Sequence, residues 1–333
     1  MSWLSRLTGK SRLKKHAPSK KVQSHEGVTL SMEELIRLRF HAAGLSMENR
    51  KKVLTMMSGG FHSGFRGRGV DFVETRHYQP GDDIRTIDWR VTARTGHPHT
   101  KLFCEERERP VYILVDYTPQ MFFGTRVAFK SVVAARAAAI LAWAAASNGD
   151  RVGGIIFTAG KNINIKPAGG SHGVLRLLKE LSDEDNQVIE SVPGMGLQHA
   201  LYQLRSVVRP GSMICILSDF YHLDEDSEKH LKRLAIHNDI FSLFIYDTLE
   251  MRLPPPGRYT VSDGEQNMSF YSGDKKLRND YKQQFRQRYE HVESVFTQRG
   301  LRVMPLATHE SIPDKIRLGL AGLRDSRAVS LFS

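Results

Sequence analysis

Val111-Tyr112-Ile113-Leu114-Val115-Asp116-Tyr117-Thr118-Pro119-Gln120 is the stretch on which the fold turns. Val111 to Val115 is continuously apolar, the pattern of a strand buried on both faces. The run ends in an acid, then a hydroxyl, then a proline that stops regular structure. Runs of the same kind recur at Arg151 to Phe157, Met213 to Leu217 and Ile240 to Tyr246.

Between them lie helical patterns. Val127 to Ser147 is long and alanine-rich, and further helices are predicted around Val174 to Leu181 and over Leu197 to Val207. Another is predicted over Ser227 to His237, with Ser227 as N-cap. Apolar strands alternating with helices predict an α/β fold, a mostly parallel sheet with helices on both faces. Pro254-Pro255-Pro256 interrupts the pattern. A hairpin of Tyr259 to Val261 with Met268 to Tyr271, a helix over Lys276 to Arg299, a strand at Leu301 to Pro305 and a helix over Ser311 to Leu323 complete it.

Upstream the texture differs. Ser31 and Glu34 have capping-box spacing before the apolar stripe of Leu35 and Leu38, so a helix runs to about Ala42. Ser58 to Gly69 is dense in glycine. From Val70 to Pro110, charges, aromatics and turn residues mix, and Pro80-Gly81 signals a type II turn. Strands are expected around Phe72 to Thr75 and His99 to Phe103, making a small β-rich module. The predicted organisation is a basic, disordered tail over 1–30, a helix plus β-rich module over 31–110, and the α/β domain with a C-terminal extension over 111–333.

In an open parallel sheet, ligands bind at the carboxyl ends of the strands. Asp116 ends the first strand and Ser218-Asp219 follows the third, so the two acids should meet at one edge. Two carboxylates and a hydroxyl suit a hard cation such as Mg²⁺. Asp116-x-Thr118-x-Gln120 resembles the metal-ion-dependent adhesion site of von Willebrand factor A domains, whose first loop is Asp-x-Ser-x-Ser. That resemblance implies a von Willebrand factor A-like, Rossmann-type sheet and a degenerate metal site of Asp116, Thr118, Gln120 and Asp219. Gln120 places an amide at the third position. Pro193-Gly194-Met195-Gly196-Leu197 lacks the family's second-loop hydroxyl. The purely structural alternative is an acid that caps the following turn.

The most specific motif precedes the sheet. It opens with Arg66-Gly67-Arg68-Gly69-Val70-Asp71-Phe72. It continues through Arg76-His77-Tyr78-Gln79-Pro80-Gly81-Asp82-Asp83-Ile84-Arg85-Thr86-Ile87-Asp88-Trp89, then Thr92 to Gly96 and Glu105 to Glu108. This series closely resembles the signature of the DUF58 family. Read physically, it is an ion-pair and turn network. Arg76, Arg85, Arg90 and Arg94 accompany Asp82, Asp83, Asp88 and the acids from Glu105 to Glu108, with Trp89 and Tyr78 supplying the apolar anchor and a polar tip. The functional alternative is a partner-docking face, because Arg, Tyr and Trp dominate binding hot spots. The family resemblance implies pairing with a MoxR-type AAA+ ATPase. It also implies a bacterial source; longer members carry transmembrane helices before this region, and the lack of such segments here suggests a soluble version.

Composition narrows the remaining classes. Only two cysteines occur, Cys104 and Cys215, neither with a second cysteine or histidine at metal-ligand spacing, which fits a reducing compartment. No Gly-x-x-x-x-Gly-Lys-Ser/Thr loop and no Ser-His-Asp or Cys-His order is present. No apolar secretory core follows Met1, and the most apolar stretch, Val132 to Ala146, is short and contains Arg136, as in a buried helix. The formal net charge is +12, and seven Lys and Arg residues lie between Arg6 and Lys21. That tail, with Arg66 to Arg68, offers contacts to nucleic acid or an anionic membrane. The expectation is therefore a cytoplasmic, non-enzymatic binding module. Nucleic-acid or membrane binding is one alternative, and a metal-dependent hydrolase at Asp116 and Asp219 is another.

Overall fold

The computed structural model describes residues 27–45, 70–105, 108–184, 196–262, 267–298 and 300–322. The basic tail up to residue 26, the glycine-rich stretch with Arg66 to Arg68, Glu106 and Arg107, and Pro193 to Met195 lie outside them. A mostly parallel sheet forms the centre of an α/β body. Its strands are β3 (Pro110–Tyr117), β4 (Arg151–Thr158), β5 (Asn162–Gly169), β6 (Met213–Ser218), β7 (Asp239–Tyr246) and β10 (Arg302–Ala307). Their order is β10-β7-β6-β3-β4-β5, parallel throughout except for β5, which runs antiparallel on β4.

Alternation along β3 divides the core. Val111, Ile113 and Val115 face one cluster; Tyr112 and Leu114 face the other. On the first side lie α4 (Lys130–Ser147), α5 (Gly170–Glu184) and α10 (Ile312–Gly322), joined by the N-terminal α1 (Met32–Arg37) and α2 (Arg39–Ala42). On the second lie α6 (Leu197–Val207), α7 (Glu225–His237) and α9 (Lys275–Thr297). Helices therefore cover both faces, as the alternating pattern predicts. By length and composition α4 could cross a membrane, but 78% of it is buried inside the protein. Its alanines let it sit close against the sheet and neighbouring helices. Arg136 and Trp143 tie it to α1, through Glu34 Oε1 at 2.6 Å and the Leu35 carbonyl at 3.3 Å.

The upstream module pairs β1 (Val70–His77) with β2 (His99–Glu105) antiparallel, and carries α3 (Trp89–Thr95) between them. The expected β-rich module thus also contains a helix. Asp88 starts α3 by accepting from the backbone N–H groups of Arg90 and Val91 at 3.0 and 3.2 Å, and Gly96 ends it at φ 75°. A short helix α8 (Thr248–Met251) and a hairpin of β8 (Arg258–Ser262) and β9 (Asn267–Tyr271) precede α9.

Other features also differ from expectation; α4, for one, starts at Lys130 rather than Val127. The N-cap of α7 is Asp224, whose carboxylate accepts from Ser227 N–H at 2.8 Å, so Ser227 lies in the first turn. A carboxylate there also complements the helix dipole. β5, which none of the strands expected from the sequence covers, is a polar edge strand that fully buries Ile165 alone.

Candidate functional site

Asp116 and Asp219 meet where they were expected to. The strand order reverses between β3 and β6, since β4 follows β3 to one side and β6 joins on the other. The crevice at this reversal is the usual ligand position of an open α/β sheet. Asp116 is the penultimate residue of β3, and Ser218 ends β6 immediately before Asp219. Asp116, Thr118, Ser218 and Asp219 are all buried.

The groups at this edge are turned toward one another. Thr118 donates to Asp116 Oδ1 from its backbone N–H at 2.9 Å and from its hydroxyl at 2.7 Å. Ser218 donates to Asp116 Oδ2 at 2.5 Å and accepts from Phe220 N–H at 2.8 Å. Burial, and then the charge of Asp219, push the Asp116 carboxyl up to about 7. Phe220 holds a left-handed φ of 49°, rare for a bulky residue, and packs against Phe244 and Phe296.

Asp219 has a different partner. Its Oδ1 accepts from Tyr221 N–H at 2.9 Å, and its Oδ2 accepts from Lys130 Nζ at 2.6 Å. Lys130 opens the alanine-rich helix α4 and is only 1% exposed. It also donates to Glu250 Oε1 at 3.0 Å, and Arg288 of α9 lies 3.5 Å from the same oxygen. The Arg288 guanidinium is stacked near Tyr221, Phe244 and Phe285, with centroid distances of 5.3–5.6 Å. Burial raises the Asp219 carboxyl, but Lys130 and then Arg288 outweigh it and hold the group below the ordinary range. Burial lowers the Lys130 ammonium, and Asp219 and Glu250 outweigh that as well.

A third strand-end acid, Asp247 after β7, is also fully engaged. It accepts from the hydroxyls of Thr125 and Thr308 at 2.6 and 2.7 Å, and from Leu249 N–H at 2.9 Å. Glu250 completes a capping box with it.

These residues do not fit the oxygen cage of a Mg²⁺ site. Mg²⁺ requires near-octahedral oxygen ligands. Asp116 already accepts from the Thr118 hydroxyl and N–H and from the Ser218 hydroxyl, and Asp219 already holds an ammonium. Gln120 replaces a hydroxyl ligand with an amide whose buried Oε1 has no hydrogen-bond partner. No group of three or more His, Cys, Asp or Glu able to hold a metal occurs among the described residues. Thr118 N–H bonded to Asp116 is the turn-capping alternative in physical form. Sequence reasoning missed Lys130, Ser218, Asp247, Glu250 and Arg288. The available signal was Lys130, a cation in the first turn of an alanine-rich helix.

The signature residues resolve into turns and caps more than ion pairs. Arg76 bonds Asp82 at 2.8 Å, and Asp82 Oδ2 accepts from Gln79 N–H at 2.9 Å across the Pro80-Gly81 turn. Tyr78 donates its hydroxyl to the Asp82 carbonyl at 3.3 Å. Asp83 accepts from Arg85 N–H at 3.0 Å. Asp88 lies 3.7 Å from Lys101. Arg85, Arg90 and Arg94 are exposed. Trp89 is 68% exposed and Ile84 64%, so Trp89 is not the apolar anchor expected of it. As the first residue of α3, Trp89 is carried outward while Asp88 caps the helix.

Comparison with known proteins adds a family. A model of the family described as protein of unknown function DUF58 matches residues 74–291. Uncharacterized proteins of Mycobacterium bovis and Mycobacterium tuberculosis are each 30% identical over 236 residues, which is 69% of this chain and 73% of theirs. Among solved structures, the conserved hypothetical protein BatB from Bacteroides thetaiotaomicron covers 65% of this chain and 98% of its own, at 13% identity and a TM-score of 0.39. An aerotolerance-related membrane protein from Bacteroides fragilis covers 64% of this chain and 99% of its own, at 12% identity and a TM-score of 0.40. Similarity at that level carries no argument about function.

Proposed function

We propose, from the premise that this chain belongs to the DUF58 family, that it is a non-enzymatic adaptor that docks a partner protein on its signature module. The observation that carries this reading is the exposure of Trp89 and Ile84, at 68% and 64%, on a segment that also exposes Arg85, Arg90 and Arg94. Tryptophan and arginine are the residue types that dominate binding energy at interfaces, and an exposed tryptophan contributes little to a monomer's own stability. Meanwhile the polar groups at the strand ends pair with one another, which leaves them poorly placed as nucleophile or general base.

In this reading the α/β body is von Willebrand factor A-like, supported by Asp116-x-Thr118 and Asp219 at the strand-order reversal. The partner is a MoxR-type AAA+ ATPase, acting with this chain in the cytoplasm on the assembly or maturation of other proteins. The partner class comes from the family resemblance. The docking face comes from the side chains.

The test is co-chromatography and titration of the full chain with the MoxR-type ATPase of the same genome, with ATP, with ADP and without nucleotide. The expected result is a complex that Trp89→Ser and Ile84→Ser each weaken by about tenfold or more. Absence of a complex in every nucleotide state overturns the partner. A complex untouched by both substitutions overturns the face.

A further inference from the structure

We propose that the ammonium of Lys130 is the resident cation of the strand-end crevice, and that this edge of the sheet is held together by it without a divalent metal. Four elements converge on the lysine or its partners. Lys130 begins α4, Asp219 follows β6, Glu250 lies on α8 and Arg288 on α9. Lys130 Nζ lies 2.6 Å from Asp219 Oδ2 and 3.0 Å from Glu250 Oε1, and Arg288 reaches Glu250 at 3.5 Å.

The argument rests on burial and count. Lys130 and Asp219 are each 1% exposed. A buried carboxylate without a partner would be prohibitively unstable, so Asp219 requires a cation. A metal-binding crevice of this kind supplies that cation from solution. Here the chain supplies it covalently, on the first residue of its core helix. Two acids, Asp219 and Glu250, face two bases, Lys130 and Arg288, so these four groups balance one another; Asp116, the third acid of the edge, is held by the Thr118 and Ser218 hydroxyls. Asp116 completes the edge as an acceptor for Thr118 and Ser218 rather than as a ligand.

The consequence reaches beyond the crevice. Glu250 and Arg288 belong to the segment after β7, so the lysine bonds that segment to the sheet edge. Phe285 and Tyr289, on either side of Arg288 along α9, are buried against the same face. Lys130 is thus a positioning residue for α8 and α9, and the inference does not depend on the adaptor reading.

The experiment uses the full purified chain. Bound metal is measured by plasma mass spectrometry after dialysis. Melting temperature is then compared in EDTA, in millimolar Mg²⁺ and in millimolar Mn²⁺, for wild type, Lys130→Met, Asp219→Asn and the double variant. For wild type we expect far less than one equivalent of metal and no shift between EDTA and either ion. Ligand binding to the native state would instead raise the melting temperature by several degrees. Lys130→Met is expected to lower it by roughly ten degrees or to fail to fold, and the double variant to recover part of the loss. One equivalent of divalent metal in the wild type, or a metal-induced rise that Asp219→Asn abolishes, would overturn the proposal. So would a Lys130→Met protein as stable as wild type. The metal measurements decide the matter even if that variant does not fold.

Discussion

Arg109, just ahead of β3, reaches across the sheet to Asp239 at the start of β7, with Nη2 2.5 Å from Oδ2. The same guanidinium donates to the carbonyls of Gly211 and Ser212 at 3.1 and 3.3 Å. One side chain therefore closes the amino end of β3, β6 and β7, as Lys130 closes the carboxyl end. Their environments differ. The Arg109 side chain is 11% exposed and that of Asp239 is 36% exposed, so Asp239 can be hydrated when the pair is broken.

That difference orders three substitutions. Arg109→Met removes three donors and leaves two carbonyls without them, at about 2–3 kcal/mol. Arg109→Lys recovers only part of this, because an ammonium lacks the planar fork. Asp239→Asn keeps an acceptor at a half-exposed site and is expected to lose about 1 kcal/mol or less. Urea midpoints with unchanged slope would report this order. A larger loss for Asp239→Asn than for Arg109→Met would show that the charge pair, and not the carbonyl clamp, carries the corner.

Asp150 sits at the same corner and accepts from Arg109 backbone N–H at 3.1 Å. Burial pushes its carboxyl up to about 6. In the unfolded chain an aspartate titrates near 3.9. The native state therefore holds its proton over a window in which the unfolded state has released it. Stability from this group is greatest below about pH 4 and declines as pH rises to about 6, by at most roughly 3 kcal/mol in total. Asp150→Asn should match wild type at pH 4 and exceed it at pH 8. Melting temperatures across that range check it, and a variant less stable than wild type at pH 8 would contradict the assignment.

Much of the fold was legible in the sequence, for reasons visible at single residues. Val111 to Val115 is apolar on both faces because both faces are covered, so its burial could be read without knowing its neighbours. Leu197–Val207 was placed correctly because its buried Leu197, Ala200, Leu201 and Leu204 repeat at helical spacing. β5 escaped because an edge strand buries little, although Ile163 and Ile165 alternate with Asn162, Asn164 and Lys166. α3 escaped because its start depends on the Asp88 cap inside a segment dense with turn residues. The candidate site was half legible. Strand-end position marked Asp116 and Asp219, but whether an acid faces solvent, a metal or a lysine depends on packing. Lys130 is separated from Asp219 by 89 residues in the chain. Trp89 shows the opposite error, since a large aromatic beside charged groups suggested an anchor and its helix carried it outward.

The signature turn offers a last, local test. Asp82 accepts from Gln79 N–H and from Arg76, and the Asp82 side chain is only 11% exposed. Asp82→Asn keeps an acceptor for the backbone and loses the ion pair, at about 1 kcal/mol, whereas Asp82→Ala loses both, at about 2 kcal/mol. The Pro80-Gly81 turn leads from β1 towards α3, and Tyr78 N–H bonds the Pro98 carbonyl at 2.8 Å next to β2. The damage should therefore appear first in amide exchange of β1, α3 and β2, while β3 and β6 stay protected. Loss of protection in β3 and β6 to the same degree would show that the module and the sheet unfold as one unit. If exchange rises only in the module, weakened partner binding by Asp82→Ala follows from a disordered Trp89 face rather than from global unfolding.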